Sequence, residues 1–423
     1  MPIKFSTFKK CALCLFALLL AGASATDAQT SLAERRAIFE QVWTTIDEKY
    51  YDASFNGVEW RAVKKKYAAR LETARADTDF YALLDRMAGE LRDSHTRVYS
   101  PAQRDERQKQ KRATVGLTIK EIKGAPVIFS VAPDSEAARA GVKAGMIVRA
   151  VNGRPVTRAI DEARAAVGVS SSERATRMRI FSRILTGEPE TILNLELTDA
   201  DGKSLKFALT RRLISSKPQV ASRILPSGVA YLKFDKFDEG LEKQVENALR
   251  ELKEAPALIL DLRANGGGDG EVGLRFAGYF FDDKITVAEI VTRTGRPPVP
   301  EMPMTLEAGA KNAQIFSRPV VILVDEATAS TAELVTNALQ EQKRARVFGT
   351  NSCGCVLAFL DYKPLKGGGD LSLSEFGFVT AKRKRLEGAG VVPDKIVPLN
   401  LKDVRAGRDA ALEEAERYLK NLR

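Results

Sequence analysis

The chain has 423 residues, enough for about two to four domains of ordinary size. Its composition is 44% hydrophobic and 29% charged, which is usual for a folded soluble protein and excludes a fibrous or low-complexity one. A single histidine excludes a zinc or di-iron site built from several histidines of this chain, and four cysteines are too few for a disulfide-dense scaffold. We therefore expect several globular domains that work without a metal or another cofactor.

The N-terminus has the pattern of a secretory signal. Residues 1–25 begin with a lysine-containing stretch, continue with an apolar run from Cys11 to Ala21, and end in a small-x-small site at Ala25. The apolar run is shorter than the ~20 residues that a membrane-spanning helix needs, and a buried N-terminal helix is the alternative. We expect an exported protein, periplasmic or secreted, with no integral membrane span once residues 1–25 are removed.

The basic charge is moderate. Removal of residues 1–25 would lower the formal net charge from +11 to +8, because that segment carries three lysines and no acidic residue. The densest basic runs, Lys64–Lys66 and Lys382–Arg385, contain no aromatic residue, whereas nucleic-acid sites interleave the two types. We therefore interpret the charge as a solvated surface and expect no nucleic-acid partner.

The segment 26–111 is predicted to be helical. Apolar residues recur at helical spacing from Ile38 to Ile46 and again from Phe80 to Leu91. Ser100 and Pro101 are expected to stop the helical run, and the highly charged stretch 104–112 is expected to be a connector.

The segment 112–213 is predicted to be a small, strand-rich binding module. Short apolar runs alternate with glycine-containing turns, and two helical stretches lie between them. The predicted strands cover 127–129, 146–148, 192–197 and 205–209, and the predicted helices cover 135–140 and 160–166.

The segment 214–423 is predicted to be an α/β domain. The continuous apolar runs 257–262 and 320–325 are typical of buried parallel strands. A strand with alternating apolar residues is expected at 229–234, and helices are expected near 242–253, 271–281, 331–342 and 408–422.

Functional groups in such a domain collect beyond the carboxyl ends of the parallel strands. Gly266, Gly267 and Gly268 follow the first buried strand, where glycine lets backbone N–H groups face an anion. A flexible turn is the alternative. Ser330 follows the second strand, just before a helix. It fits the helix N-cap, and it also fits a nucleophile whose oxyanion the Thr331 N–H and the helix N-terminus would stabilise.

A serine nucleophile needs a base, and His95 is the only histidine. Taken alone, an isolated histidine is more often structural or simply exposed. His95 has polar neighbours, however, and follows the end of an amphipathic helix. A glycine loop, a serine at a helix start and one histidine meet the minimum for acyl transfer.

These motifs together resemble those of the C-terminal processing (tail-specific) serine peptidases, in particular their tricorn-core-like branch. Asp93–Thr96 matches the branch's Asp-x-His-Thr signature, while Asp261–Gly268, Thr328–Ser330 and Glu387–Asp394 match hallmarks of the catalytic core. The resemblance implies a helical N-terminal domain at 26–111 and a ClpP/crotonase-like α/β peptidase core at 214–423.

The same resemblance implies that residues 112–213 form a PDZ domain, with its usual proline-to-glycine stretch at Pro133–Val142. PDZ domains add a peptide C-terminus as a strand and hold its carboxylate on loop N–H groups. The implied carboxylate-binding loop consists of Val115, Gly116, Leu117 and Thr118.

Two catalytic solutions occur in this family, and only one fits. The tail-specific branch pairs its serine with a lysine twenty-five residues later, a position that Cys355 occupies here, so a Ser/Lys dyad cannot operate. The tricorn-like branch implies Ser330 as nucleophile and His95 as general base, with Ser94 and Glu387 orienting the imidazole. The oxyanion hole would combine Thr331 N–H with that of Gly266 or Gly267.

Cys353 and Cys355 are the only cysteines beyond the predicted signal. A disulfide between them is expected to be strained, because one residue separates them. Cys355 fits a small residue that replaces the family lysine, and the alternative is a free thiol near the site.

The sequence therefore predicts an exported serine endopeptidase that recognises peptide C-termini. A catalytically inactive PDZ scaffold is the alternative, because the lysine is missing.

Overall fold

The computed structural model describes residues 30–215, 217–310 and 314–422, so the predicted signal at 1–25 lies outside the described residues. None of the helices in these ranges is both long and apolar enough to cross a membrane.

The N-terminal part is helical, as predicted. Its helices pack their apolar faces together around Phe39, Val42, Trp60 and Phe80, all of which are buried. The elements are α1 (Leu32–Lys49), α2 (Trp60–Ala68), α3 (Asp77–Gly89), strand β1 (Arg97–Tyr99) and α4 (Pro101–Gln108).

Helix α4 corrects the prediction that Ser100 and Pro101 stop helical structure before a connector. Ser100 is the N-cap, and its side chain accepts a hydrogen bond from Gln103 N–H. Pro101 occupies the first turn of α4. Backbone N–H groups in a first turn have no partner within the helix, so the missing N–H of proline costs nothing there, and its fixed φ is already helical. The two residues therefore begin a helix.

A mostly antiparallel sheet module follows. Lys111–Thr114 pairs with Arg212–Ser215 where the module joins the rest of the chain. The elements are β2 (Lys111–Thr114), β3 (Leu117–Ile122), β4 (Ala125–Val131), α5 (Glu136–Arg139), β5 (Ile147–Val151), β6 (Arg154–Pro155), α6 (Val156–Ala166), α7 (Glu173–Leu185), β7 (Ile192–Thr198), β8 (Ser204–Thr210) and β9 (Arg212–Ser215). The main sheet has the order β3-β4-β5-β7-β8, so β3 is an edge strand.

Helix α7 lies alongside β3 and was missed by the sequence patterns. Its apolar residues Ile180, Phe181 and Ile184 join the module core that includes Leu117 and Ile119. Four arginines interrupt the apolar spacing of this helix, which obscures its periodicity in the sequence.

The C-terminal part is an α/β domain, as predicted. Its elements are β10 (Val220–Ile224), β11 (Ala230–Phe234), α8 (Glu239–Glu251), β12 (Leu258–Asp261), α9 (Gly270–Gly278), β13 (Ile285–Val291), β14 (Thr305–Ala308), β15 (Val320–Val324), α10 (Thr331–Glu341), β16 (Ala345–Gly349), β17 (Lys363–Pro364), β18 (Asp370–Ser372), β19 (Gly377–Thr380), β20 (Lys395–Ile396), α11 (Leu401–Arg405) and α12 (Ala410–Lys420). The central sheet has the order β10-β11-β12-β15-β16-β20 and is parallel from β11 to β20.

Two strand pairings position the residues predicted to form the site. The predicted buried strands are β12 and β15, which are neighbours, so their carboxyl ends bring the glycine loop and Ser330 together. A separate antiparallel sheet joins β1 to β18, with Arg97 opposite Ser372. The N-terminal region is thereby attached to the core directly after His95.

Candidate active site

Ser330 occupies a sharp turn between β15 and α10. Its φ of 56° and ψ of −125° are an uncommon conformation for a residue with a side chain. A strained serine on a strand-to-helix turn is the geometry that exposes a nucleophilic hydroxyl. The turn is held by the Ser330 N–H, which donates to Cys355 O at 2.9 Å and to Glu333 Oε2 at 3.1 Å.

The Glu333 carboxylate is fully buried beneath this turn. It accepts hydrogen bonds from Ser352 Oγ at 2.6 Å, Gly354 N–H at 2.8 Å and Cys355 N–H at 2.9 Å, in addition to Ser330 N–H. Burial raises the pKa of Glu333, and these hydrogen bonds oppose that rise. Glu333 therefore connects the Ser330 turn to the loop that contains both cysteines. The sequence reasoning missed it, although its place three residues after a helix N-cap was visible.

The glycine loop packs directly against Ser330. A Cβ at Gly267 would lie 2.6 Å from Ser330 Cβ and 2.9 Å from Thr331 N, and Gly267 has a φ of +91°. The sequence left open whether Gly266 or Gly267 supplies the oxyanion donor. Gly267 N–H already donates to Asn265 Oδ1 at 2.9 Å, so it is occupied, whereas Gly266 is exposed and lines the same cavity as Thr331.

Asp93 shapes the turn that carries His95. Its carboxylate accepts hydrogen bonds from His95 N–H at 2.8 Å, Thr96 N–H at 2.6 Å and Thr96 Oγ1 at 2.6 Å. Ser372 Oγ on β18 donates to His95 O, and Ser374 N–H donates to Thr96 Oγ1. The Asp-x-His-Thr sequence is thus a turn anchored to the core.

A chain of hydrogen bonds runs from Glu387 through Ser94 to His95. Ser94 Oγ lies 2.6 Å from His95 Nδ1 and 3.0 Å from Glu387 Oε2, and Ser94 N–H donates to Glu387 Oε1 at 3.0 Å. Glu387 Oε2 also accepts from Val356 N–H at 2.6 Å. Ser94 and Glu387 are therefore in direct contact although 293 positions separate them in the sequence.

The direction of these hydrogen bonds sets the histidine tautomer. An ionised Glu387 can only accept, so the Ser94 hydroxyl proton points to it. Ser94 Oγ then accepts from Nδ1–H of His95, and Nε2 keeps its lone pair. This is the protonation state that a general base requires.

The pKa values of His95 and Glu387, at the two ends of this hydrogen-bond chain, are shifted in opposite directions. Burial, together with the nearby charge of Arg179, lowers the pKa of His95 to about 4, against the opposing effect of Asp93. Burial raises the pKa of Glu387 to about 7, with the Asp93 charge acting in the same direction, and the Val356 and Ser94 hydrogen bonds oppose the rise. A neutral imidazole next to a carboxyl that titrates near neutrality is an arrangement typical of catalytic sites.

Ser330 and His95 line one cavity of about 1900 Å³, together with Ser94, Gly266, Gly267 and Thr331. In the part of the chain that the structure describes, no hydrogen bond joins the Ser330 and His95 side chains. Catalytic hydrogen bonds are often long without substrate, so this geometry is compatible with a serine–histidine pair. The cavity wall also includes Leu334, Val335, Phe376 and Phe378, which give it an apolar side.

Cys353 and Cys355 form a disulfide, so the alternative of a free thiol near the site is wrong for this structure. The strain expected from their spacing does not prevent the bond. Cys355 lies beside Ser330, since its carbonyl oxygen accepts the Ser330 N–H.

The strand-rich module reaches the site through two contacts that the sequence did not indicate. Lys120 on β3 forms a buried ion pair with Asp325 at 2.6 Å, directly after strand β15. Arg179 on α7 donates to Ser94 O at 2.8 Å. Both residues are ordinary surface types in sequence, and only the packing of the module on the core buries them.

The loop predicted to bind a peptide carboxylate lies at the start of β3. Val115 is fully buried, and its carbonyl oxygen accepts Ala137 N–H, while Gly116 O accepts Ala132 N–H. Leu117 is buried in the module core and Thr118 is exposed. The loop thus stands beside the edge strand to which a peptide would be added.

Two models of known families match parts of this chain. A model of peptidase family S41 matches residues 228–397, and a model of the tricorn protease C1 domain matches residues 31–89. The carboxyl-terminal-processing protease of Synechocystis sp. is 28% identical over 393 residues, which is 88% of this chain and 83% of the relative. Carboxyl-terminal-processing peptidase 2, chloroplastic, of Arabidopsis thaliana is 28% identical over 388 residues, or 87% of this chain and 70% of the relative.

Solved structures agree on the fold. The photosystem II D1 C-terminal processing protease has a TM-score of 0.57 and 23% identity, covering 89% of this chain and 98% of that one. Mature CPAF has a TM-score of 0.68 and 12% identity, covering 92% and 96%. The S41 match spans the strands and turn that carry the glycine loop and Ser330. The chain therefore contains a region similar to peptidase family S41, at residues 228–397, and is a serine-type peptidase.

Proposed function

We propose that this peptidase is an exported endopeptidase in which Ser330 attacks the scissile carbonyl and His95 accepts the serine proton. Ser94 and Glu387 orient the imidazole. The observation that carries the proposal is the hydrogen-bond chain from Glu387 through Ser94 to His95 Nδ1, which ends at the cavity that Ser330 lines.

The oxyanion would be stabilised by Thr331 N–H, at the N-terminus of α10, and by Gly266 N–H. Backbone donors fixed before the reaction stabilise the developing charge without reorganisation, and each such donor is worth roughly 10²–10³ in kcat. Gly267 contributes space, because its lack of a Cβ lets the loop lie against Ser330.

A fluorophosphonate probe tests the catalytic roles without a known substrate. We expect the protein to be labelled, and Ser330→Ala and His95→Ala to lose labelling. With a peptide substrate, each change should lower kcat by up to about 10⁶-fold. Ser204→Ala, an exposed serine on β8, is the matched control and should keep full labelling. Absence of labelling in the folded wild type would favour the inactive scaffold instead.

We further propose that the module at 112–213 recognises substrate C-termini. Among the strands that the structure describes, β3 pairs only with β4, so one edge remains for an added strand, and the relatives named above are carboxyl-terminal-processing enzymes. The apolar residues between β3 and α7 are buried, so strand addition requires α7 to move away from β3.

Paired peptides test this recognition. Two peptides of the same apolar sequence, one with a free C-terminal carboxylate and one amidated, should differ at least tenfold in KM, since only the first offers a carboxylate to residues 115–118. Equal KM values would remove C-terminal recognition while leaving the serine peptidase chemistry in place.

Export is tested by fractionation. We expect the protein recovered from cells to begin after Ala25, outside the cytoplasm. An intact N-terminus on cytoplasmic protein would contradict it.

A further inference from the structure

The Cys353–Cys355 disulfide closes a very short ring in a segment without helix or strand. Residues 351–357 have neither, and Gly354 is the only residue between the two cysteines. Such a segment owes its conformation to its individual bonds, because no regular ladder holds it.

One side of this segment holds the nucleophile turn. Cys355 O accepts the Ser330 N–H, and Cys353 N–H donates to Thr328 O at 2.9 Å. The Ser330 backbone is in a conformation that persists only where the surroundings over-determine it. The covalent bond between the cysteines fixes the spacing of these two contacts.

The other side holds the carboxylate that orients the histidine. Val356 N–H donates to Glu387 Oε2 at 2.6 Å, and Gly354 O accepts Gly388 N–H at 2.8 Å. The ring between the cysteines therefore lies between the nucleophile and the Glu387–Ser94–His95 chain, and it is bonded to both.

The disulfide faces both protein and cavity. Cys353 and Cys355 are 3% and 8% exposed and pack against Ala175, Met178 and Ala329. Cys355 nevertheless lines the cavity that Ser330 lines, so open space borders this half of the disulfide.

We propose that Cys353 and Cys355 form a redox-sensitive site, in which the disulfide keeps the peptidase active and its reduction lowers activity. This inference rests on the proposed roles of Ser330 and Glu387. A dithiol reductant attacks one sulfur and its second thiol resolves the mixed disulfide, so two electrons and two protons pass to the cysteines and the reductant leaves as a cyclic disulfide.

Reduction opens the ring by breaking the bond between Cys353 and Cys355. Gly354, with a φ of 71°, is then free to take other conformations between two uncoupled cysteines. The Cys355 carbonyl and the Val356 N–H lose their fixed separation. We therefore expect kcat to fall more than KM rises, because the contacts that loosen orient reacting groups.

The test uses the full-length chain with Cys11→Ser and Cys14→Ser, so that only the pair responds. Protein is treated with dithiothreitol, alkylated thiols are counted by mass spectrometry, and labelling by fluorophosphonate is timed before and after reoxidation. We expect at least a tenfold slower labelling in the reduced form, recovered on reoxidation. Adding Cys353→Ser and Cys355→Ser should give the slow rate permanently and without response to dithiothreitol.

The outcomes separate this inference from the proposed function. Equal labelling of oxidised and reduced protein, or a serine variant as fast as the oxidised form, overturns the redox inference while Ser330 remains the nucleophile. Absence of labelling in every form overturns both. A serine variant that is slow only because it has unfolded is recognised by its thermal unfolding, and the dithiothreitol titration of the unmutated pair then decides.

Discussion

A single proton on Ser94 decides whether His95 can serve as a base. When Glu387 is ionised, the Ser94 hydroxyl donates to it and His95 keeps its proton on Nδ1. When Glu387 is protonated, it donates to Ser94 Oγ, Ser94 donates to Nδ1, and the proton of the neutral imidazole moves to Nε2. The base is then lost although the imidazole stays uncharged.

This arrangement predicts an acid limit set by Glu387. Activity should fall as pH decreases through about 7, the pKa to which burial raises Glu387. Ser94→Ala separates the two groups, so its remaining activity should fall only near pH 4, the pKa to which burial lowers His95. The measurement is kcat/KM from pH 3.5 to 9.

Thr73→Ala, an exposed hydroxyl far from the site, is the control for this profile and should retain the limit of the wild type. If the limits of the wild type and Ser94→Ala coincide, Ser94 does not relay the state of Glu387.

A side chain at Gly267 is expected to clash with Ser330. In Gly267→Ala the new methyl group would meet Ser330 Cβ at 2.6 Å and Ala329 O at 2.8 Å, with φ at +91°. We expect labelling of Ser330 to fall at least a hundredfold and stability to fall by about 1–3 kcal/mol. Gly270→Ala is the control, since a Cβ there meets nothing within 4 Å. Equal labelling of the two variants would show that the glycine loop accommodates the added methyl group without displacing Ser330.

At the scale of elements, the sequence predicted the parts whose periodicity reflects their own burial. The runs at 257–262 and 320–325 are buried on both faces, which is why β12 and β15 were recognisable as buried parallel strands. Ser330 and the glycine loop followed from the ends of those strands. The position of His95 did not, because it depends on β1 pairing with β18 across more than 270 residues.

The missed elements have local causes. Helix α4 has no buried residue, so no apolar spacing marks it. In α7, buried Ile180 and Phe181 lie among arginines, and two of these, Arg174 and Arg179, donate hydrogen bonds to other domains. The hydrogen bonds from the loop at 352–355 to Glu333, and from Lys120 to Asp325, form only when separate segments meet, and one sequence does not reveal them.

The buried Glu333 carboxylate is expected to stabilise the turn at the start of helix α10. Glu333→Gln places an amide NH₂ where a carboxylate oxygen accepts two donors, so at least one hydrogen bond is replaced by a donor–donor contact. We expect a loss of roughly 2–4 kcal/mol in the free energy of unfolding and a lower kcat. Urea denaturation and fluorophosphonate labelling measure the two effects.

Glu251→Gln, at the exposed end of α8, is the matched control and should change neither quantity. A Glu333→Gln variant as stable as wild type would mean that the loop at 352–355 reorganises around the amide.

At the scale of the whole molecule, three regions contribute to the proposed active site. The N-terminal helical region supplies Ser94 and His95, the α/β domain supplies Ser330 and Glu387, and the strand-rich module contacts both through Arg179 and Lys120. Loss of the Lys120 contact is expected to destabilise the protein more than loss of the Arg179 contact, because both Lys120 and Asp325 are buried. Its Nζ lies 2.6 Å from Asp325 Oδ2, and Asp325 Oδ1 accepts Ala264 N–H, which begins the glycine loop.

Lys120→Met should therefore weaken both the module interface and the glycine loop. Methionine keeps the volume of the side chain but leaves Asp325 as a buried charge without its cation, which costs about 3–5 kcal/mol. Burial acts to raise the pKa of Asp325, but Lys120 and the backbone donors outweigh it and hold the pKa below its ordinary value. The stabilisation is thus present above the ordinary value of about 3.9 and is lost as pH falls through the lower folded value, so the difference between wild type and variant should shrink in acid.

Urea denaturation at pH 7 and pH 3, read with fluorophosphonate labelling, measures this prediction. Lys123→Met, at the exposed turn after β3, is the control because it removes the same charge from the same hairpin without removing a buried partner. The paired change Lys120→Met with Asp325→Asn should recover part of the stability, since no unpaired charge remains, yet it should not restore labelling fully if the Asp325 carboxylate positions Ala264. Equal losses in Lys120→Met and Lys123→Met would mean that net charge, and not the buried pair, joins the module to the catalytic core.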